Sequence, residues 1–215
     1  MHFTLADLVA DITQNSAESG AEVVELEIRE TAEPGEAKRG AGKAEFRFIT
    51  RDNGKGMTGA GLKRAVDPFV TDGIKHPGRR VGLGIPFLIQ TASQSGGGWK
   101  ITSTQAGQTS IQGSETGELE CFEPKSESGT VVEAWFNLTN VDTPPVGDIP
   151  GLFRSVLLFN GPKEVILKRE RTGGEEGLDY KVTKSELEEA LGGLEDVSSL
   201  ALLGKYLRSL EEKDT

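Results

Sequence analysis

The sequence predicts an α+β fold of two layers, with helices on one face of a mixed, mostly antiparallel sheet. Three observations predict it. Apolar residues near the N-terminus repeat at helical spacing, the segments that follow alternate apolar and polar residues, and a cluster of turn-forming residues interrupts the pattern near residue 145. The resulting order of one helix, two strands, two helices and several strands is typical of a sheet covered by helices.

The first helix is predicted from residue 5 to residue 19. Thr4 can cap its N-terminus, and Asp7, three residues later, can complete a capping box. The residues that repeat at helical spacing are Leu5, Leu8, Val9 and Ile12.

Two strands follow, at residues 23–30 and 44–51, and form a hairpin with a long loop. A short helix is predicted around residues 62–67, and a further helix near Leu83. Pro86 falls in the first turn of that helix, where the absence of an N–H group costs nothing. Four more strands are predicted between residues 99 and 138, as a meander.

The composition changes at residues 139–150, TNVDTPPVGDIP, which predicts a boundary. One domain would occupy residues 1 to 140, and a small α/β extension residues 145 to 215. In the extension, residues 152–160 could form a helix or a strand, and two strands and two amphipathic helices follow.

The last helix carries leucines three and four residues apart. Such a repeat is typical of internal packing, and a partner face is the alternative, which would suit a homodimer or another protein. The leucines are Leu200, Leu203, Leu207 and Leu210.

Charge and hydropathy exclude several classes of partner. The net charge is −10 and the pI is about 4.9, with lysines and arginines scattered along the 215 residues, so we expect no nucleic-acid partner. There is no apolar run of about eighteen residues and no basic-then-apolar leader. We therefore expect a cytoplasmic protein that does not bind membranes.

Asp11 and Asn15 lie four residues apart on the first helix, so their side chains are one turn apart on the same face. The side-chain oxygen of Asn15 is a hard ligand that suits Mg²⁺, which takes few protein ligands when it binds phosphates. The alternative is that both side chains only solvate an exposed helix face.

Two glycine-containing segments could contact a nucleotide. Asp52, at the end of a predicted strand, could accept a hydrogen bond from an exocyclic amine, and Gly54 and Gly56 would allow close backbone approach. Gly82 and Gly84 open a helix, whose free N–H groups could bind phosphate. The alternatives are an ordinary hairpin turn and a glycine-rich loop without a ligand.

These segments, taken in order, resemble the motifs of the GHKL superfamily, the Bergerat-fold ATPases that include DNA gyrase, MutL, heat-shock chaperone ATPases and histidine kinases. The resemblance covers about residues 5 to 137. The matching segments are DITQNSAESGA at 11–21 (the N box), RDNGKGM at 51–57 and GLG at 82–84 (the glycine boxes), DPFVTDG at 67–73 and GTVVEAWF at 129–136.

The resemblance implies a Bergerat-type sandwich that binds ATP or ADP with Mg²⁺, here in a stand-alone, histidine-kinase-like ATP-binding domain. By resemblance, Asn15 would bind Mg²⁺ and Asp52 would receive the adenine amino group. Gly54 and Gly56 would line the adenine pocket, and Thr130 would support the adenine through water.

On the phosphate side, the resemblance implies that Gly82 and Gly84 contact the phosphates and that residues 58 to 81 form a mobile lid over ATP. Arg80 would contact the γ-phosphate electrostatically, together with Lys75. The alternative is that these cations belong to a solvated, basic lid.

One departure from the family pattern concerns catalysis. Hydrolysing members carry Glu four residues before the Asn, and this chain has Asp11, whose carboxylate is one methylene shorter. If Asp11 is the general base, it reaches the attacking water less well, and hydrolysis is expected to be slow.

Neither His2 nor His76 is a plausible phosphoacceptor, and residues 145 to 215 are too few for a transducer domain. The sequence therefore predicts a regulatory ATP·Mg²⁺-binding protein with slow ATPase activity that acts as a switch on a protein partner. One alternative is a protein kinase acting in trans, similar to anti-sigma kinases or detached histidine-kinase catalytic domains. The other is a non-enzymatic interaction module with a vestigial nucleotide site.

Overall fold

The fold is described from a computed structural model of the 215-residue chain. The structure describes residues 4–31, 44–69, 84–105, 107–113, 120–122, 127–173 and 177–212.

The described residues form six helices and eight strands. The helices are α1 (Leu5–Glu18), α2 (Gly59–Val66), α3 (Gly84–Gln94), α4 (Ile149–Leu157), α5 (Lys184–Leu191) and α6 (Val197–Glu211). The strands are β1 (Val23–Thr31), β2 (Glu45–Asp52), β3 (Gly98–Gln105), β4 (Gln108–Gly113), β5 (Glu120–Phe122), β6 (Gly129–Asn137), β7 (Glu164–Thr172) and β8 (Leu178–Thr183).

All eight strands belong to one sheet, in the order β5-β4-β3-β6-β2-β1-β7-β8. The pair β1 and β7 is parallel, and every other neighbouring pair is antiparallel. The prediction of a mixed, mostly antiparallel sheet is confirmed.

One face of this sheet is apolar and buried under the helices. Alternate residues point toward that face, including Phe46 and Phe48 on β2 and Phe136 on β6, whose rings pack together with centroids 6.2 to 6.5 Å apart. Every helix contributes at least one buried residue to the same core. The fold is therefore a two-layer α+β sandwich, as the sequence predicts.

The opposite face of the sheet carries ion pairs between neighbouring strands. Arg51 Nη1 lies 2.6 Å from Glu25 Oε1, Arg47 Nη1 lies 2.6 Å from Glu133 Oε1, and Lys168 Nζ lies 2.9 Å from Glu25 Oε2. These charged residues occupy the positions that alternate with the apolar ones, which explains the period of two in the sequence.

The N-terminus of α1 is held by two sets of hydrogen bonds. The N–H of Asp7 donates to Thr4 Oγ1 (3.1 Å), and the N–H of Thr4 donates to Asp7 Oδ2 (3.2 Å), which confirms the predicted capping box. The first N–H groups of the helix, those of Leu5 and Ala6, donate to the carbonyls of Pro145 and Val146. The segment predicted as a boundary therefore accepts hydrogen bonds from the first N–H groups of α1, which have no partner within the helix.

The C-terminal part of the chain continues the same sheet and core. Strand β7 pairs with β1 along its whole length, and residues 149–157 form a helix, which decides between the two predictions for residues 152–160. Leu203 and Leu207 are fully buried in the common core. Two leucines of the α6 repeat thus pack inside the molecule, and Leu210 is partly buried against the same core. The independence of the two predicted domains stays a prediction.

A buried ion cluster fixes α6 to the sheet. The side chain of Arg169 is 1% exposed, and its guanidinium lies 2.7 Å from Glu30 Oε2 and 3.1 Å from Glu211 Oε1. Tyr180 Oη donates to Glu211 Oε1 at 2.7 Å. Burial and the neighbouring Glu211 carboxylate raise the pKa of Tyr180, so this hydroxyl stays a donor.

The first part of the predicted lid is regular structure. Residues 59–66 form α2, which Thr58 caps by accepting from the N–H of Gly61 (3.1 Å), and Leu62 is fully buried. The short helix predicted around residues 62–67 is thereby confirmed, and it begins three residues earlier, because the Thr58 cap and one buried leucine stabilise it. The later lid, residues 70–81, lies outside the described residues.

In the parts of the chain that the structure describes, no helix has the length and apolar character needed to cross a membrane.

Candidate functional site

Asp52 is the last residue of β2, and its half-buried carboxylate is surrounded by hydrogen-bond donors. The N–H of Gly54 donates to Asp52 Oδ1 at 2.9 Å, and the hydroxyl of Ser19 lies 3.2 Å from the same oxygen. The hydroxyl of Ser16 and the backbone of Thr130 also favour the charged form of this carboxylate. Burial raises the pKa of Asp52, and these donors oppose the rise.

The two glycines after Asp52 are required by neighbouring protein atoms. A Cβ atom built on Gly54 would lie 1.8 Å from Ser19 Oγ, so the side chain of Ser19 fills the space that a larger residue would need. Gly56 has a φ of 66°, and a Cβ there would lie 1.9 Å from the carbonyl oxygen of Thr104. The structure shows close approach of the end of α1 and of β3 at these glycines, and their predicted contact with a ligand stays a prediction.

Beside Asp52, hydroxyl groups continue along the helix-facing side of the sheet. Asp52 is the register partner of Thr130, and Thr130 is the partner of Ser103. The hydroxyls of Ser103 and Thr130 are 2.9 Å apart, and the N–H of Met57 donates to Ser103 Oγ at 2.8 Å. The end of the first glycine box is thereby fixed against β3.

Asn15 lies next to the N-terminus of α3. A Cβ atom built on Gly84 would lie 3.5 Å from Asn15 Nδ2 and 3.7 Å from Ile12 Cδ1. Asn15 itself is exposed, and so is Asp11 one turn earlier on α1. The structure therefore brings together a candidate metal ligand and the positive end of a helix.

The loop between α1 and β1 is held from two sides. Asn53 Oδ1 accepts hydrogen bonds from the N–H groups of Glu22 and Val23, both at 2.9 Å. On the other side, the N–H of Lys163 donates to the carbonyl of Glu22 (2.8 Å), and Lys163 Nζ lies 2.6 Å from Glu22 Oε1. The start of β7 therefore contacts the loop that follows Ser19.

The structure gathers six of the predicted site residues in two groups: Asp52, Gly54, Gly56 and Thr130 at the ends of β2 and β6, and Asn15 and Gly84 between α1 and α3. Asp11 lies on the α1 face beside the second group. Lys75, Arg80 and Gly82 lie outside the described residues, and their predicted roles stay predictions.

Three residues of this site escaped the sequence prediction: Ser16, Ser19 and Ser103. Ser19 lies four residues after Asn15, so the helical spacing that groups Asp11 with Asn15 also places Ser19 near that face. Ser103 leaves no such signal, because only the register of β3 against β6 places it beside Thr130.

Comparison with known families decides the relationship. The family model described as histidine kinase-, DNA gyrase B- and HSP90-like ATPase matches residues 3–140. The chain belongs to this family. The resemblance inferred from the motifs is thereby confirmed.

Among solved structures, the fold is similar to that of the Aquifex aeolicus MutL ATPase domain complexed with ADP. The two chains are 19% identical, with a TM-score of 0.48, and the match covers 90% of this chain and 70% of that chain. No curated protein sequence matches the chain.

Proposed function

We propose that this member of the histidine kinase-, gyrase B- and HSP90-like ATPases is an ATP·Mg²⁺-binding regulatory protein with slow ATPase activity, acting as a nucleotide-dependent switch on a protein partner. The observation that carries the proposal is the Asp52 carboxylate, half-buried at the end of β2 and held by hydrogen bonds from the hydroxyl of Ser19 and the N–H of Gly54.

The surroundings of Asp52 suit an adenine ring. A carboxylate accepts hydrogen bonds only, so it favours a base that offers an amine over one that offers a carbonyl at the same position. The donors fix the direction of the carboxylate, and the glycines let α1 and β3 pack closely around it. Preorganisation of this kind lowers the cost of ordering the site on binding.

The phosphate end of the site suits the group that the family implies. The side-chain amide of Asn15 would hold Mg²⁺, and Gly84 would present backbone N–H groups at the N-terminus of α3. Bound Mg²⁺ would neutralise negative charge on the phosphates. Asp11, one turn before Asn15, would accept the proton of an attacking water.

Calorimetry with ATP and ADP tests binding. Asp52→Asn is expected to weaken the binding of both nucleotides about tenfold to a hundredfold. The amide presents a donor where an acceptor is needed, and a hydrogen bond to a charged group is lost. Asp179→Asn, which changes an exposed carboxylate on β8, is the matched control. Equal affinities of Asp52→Asn and the native protein would contradict the proposal.

Incubation with γ-labelled ATP separates the hydrolytic proposal from its alternatives. Slow release of labelled phosphate is expected, since the proposed general base, Asp11, has a side chain one methylene shorter than glutamate. Label transferred to another protein would identify a kinase acting in trans, and ATP that binds without turnover would identify a non-enzymatic module. For the switch, we expect an ordered surface that engages its protein partner with ATP and releases it with ADP.

A further inference from the structure

The hydroxyl of Ser19 has two acceptors within reach and one hydrogen to give. Ser19 Oγ lies 2.8 Å from the carbonyl oxygen of Ser16 and 3.2 Å from Asp52 Oδ1. A serine hydroxyl donates one hydrogen bond at a time. The hydroxyl of Ser19 therefore donates either to the carbonyl of Ser16, at the end of α1, or to the carboxylate of Asp52.

One oxygen of this carboxylate, Oδ1, has its acceptor positions filled when Ser19 donates to it. Each carboxylate oxygen offers about two acceptor positions. On Oδ1 these are taken by the N–H of Gly54 at 2.9 Å and by the hydroxyl of Ser19 at 3.2 Å. An incoming amine that donates to Oδ1 needs one of these two positions, and Ser19 is the donor that has a second acceptor, the carbonyl of Ser16, within hydrogen-bond distance.

We propose that the hydroxyl of Ser19 holds, in the nucleotide-free protein, the acceptor position on Asp52 that the exocyclic amine of adenine takes in the complex, and that on binding it turns to the carbonyl of Ser16. This inference rests on the proposed function and deepens it. Ser19 then sets the affinity for the amine by keeping Asp52 hydrogen-bonded when no base is present.

The direction of the mutational effect follows from this exchange. Ser19→Ala removes a charge-assisted hydrogen bond from the free protein and a neutral one from the complex, and the charge-assisted bond is the stronger of the two. The free protein therefore loses more than the complex does. ATP is expected to bind about two- to tenfold more tightly to Ser19→Ala than to the native protein.

A ligand without the amine isolates the effect. Purine riboside triphosphate has the same ribose and phosphates as ATP but no exocyclic amine, so the position vacated in Ser19→Ala brings it no gain. The ratio of its dissociation constant to that of ATP should rise in Ser19→Ala by the same two- to tenfold. If Ser19 only held Asp52 in place, the ratio would fall, and an unchanged ratio would equally overturn the proposal.

The matched control is Ser209→Ala. Ser209 Oγ donates to the carbonyl of Tyr206 at 2.7 Å, the same contact to the third preceding residue that Ser19 makes, near the end of α6. This variant loses the helix-end hydrogen bond alone, so its ratio should equal that of the native protein. A rise in Ser209→Ala as large as in Ser19→Ala would overturn the proposal.

A second readout follows the carboxylate itself. In carbon-detected NMR titrations, the pKa of Asp52 should rise in nucleotide-free Ser19→Ala, because a donor to the charged form is lost, and should match the native value in the ATP complex. A native protein that binds neither triphosphate would defeat the proposed function. Native binding that prefers ATP, with no gain in Ser19→Ala, would defeat this inference alone.

Discussion

The side-chain amide of Asn15 faces Gly84 at the first turn of α3, with 3.5 Å between Asn15 Nδ2 and the position that a Cβ on Gly84 would occupy. The two residues are 69 positions apart in the chain and belong to different sequence motifs. Their proximity places the candidate metal ligand beside the N-terminus of α3, where we propose that the phosphates of a nucleotide bind.

Asn15→Ala should remove the magnesium-dependent part of ATP binding. The loss is expected to be about tenfold or more with Mg²⁺ present, the size of an interaction with a charged group, and to vanish in EDTA. Calorimetry in both buffers measures it. Gln14→Ala is the control, since Gln14 lies on the same helix and donates to Glu18 (3.2 Å). Persistence of the magnesium dependence in Asn15→Ala would show that another group binds the metal.

Changing the length of the Asp11 side chain should change the rate of ATP hydrolysis. Asp11→Glu is expected to raise turnover about tenfold to a hundredfold by bringing an oxygen nearer the attacking water, and Asp11→Asn to lower it with ATP affinity unchanged. A phosphate-release assay at saturating ATP gives both rates. If Asp11→Asn turns over as fast as the native protein, Asp11 is only a surface carboxylate of α1.

Affinity for ATP should fall as the pH is lowered through the pKa of Asp52. Burial raises that pKa, so the folded protein holds this proton more tightly than the unfolded chain does. The contribution of Asp52 to folding stability therefore changes with pH in the opposite direction to its contribution to ATP affinity. Asp52 favours the fold below the unfolded pKa of about 3.9, and this contribution is lost as the pH rises through the folded value.

The check is a series of ATP dissociation constants from neutral to mildly acidic pH. As the pH is lowered, the native protein should begin to lose affinity for ATP at a pH above the ordinary pKa range of aspartate. The ATP affinity of Asp52→Asn should decrease at low pH only as much as the protonation of ATP itself requires. If ATP affinity depends on pH in the same way in both proteins, the loss of affinity at low pH is due to a group other than Asp52.

Arg169→Met should destabilise the protein by about 3–5 kcal/mol, because it leaves the partly buried carboxylates of Glu30 and Glu211 without their cation. Urea unfolding, with one m value fitted to both proteins, measures the decrease in the free energy of unfolding. Lys163→Ala removes an ion pair to Glu22 that lies in solvent, with side chains 75% and 64% exposed, and should leave the midpoint unchanged. Equal midpoints for Arg169→Met and the native protein would show that the buried cluster contributes nothing net.

Local chemistry made much of the fold predictable. The N-terminus of α1 follows from Thr4 and Asp7, which satisfy each other within one turn, and the alternation in β1 and β2 follows from one buried and one charged face. The Asp52 cluster was predictable in part, because Asp52, Gly54 and Gly56 are close in sequence.

Contacts between distant segments were not predictable. Parallel pairing of β7 with β1 leaves no spacing that a single sequence reveals, so the sequence predicts a C-terminal extension but not that its strands join the central sheet. Ser103 joins the site by strand register alone. The sequence singled out Gly54, but it could not reveal that Ser19 Oγ, from the C-terminal cap of α1, lies against this glycine.

The parallel pairing of β1 with β7 also bears on how the chain is made. Glu22 and Lys163, where the two strands begin, are separated by 141 positions, which a ribosome adding about 5–20 residues per second would take roughly 7 to 28 s to traverse. Until β7 emerges, the N–H and C=O groups on that side of β1 form an open edge, available to chaperones or to another nascent chain. A chain shortened after residue 140 would keep that edge permanently.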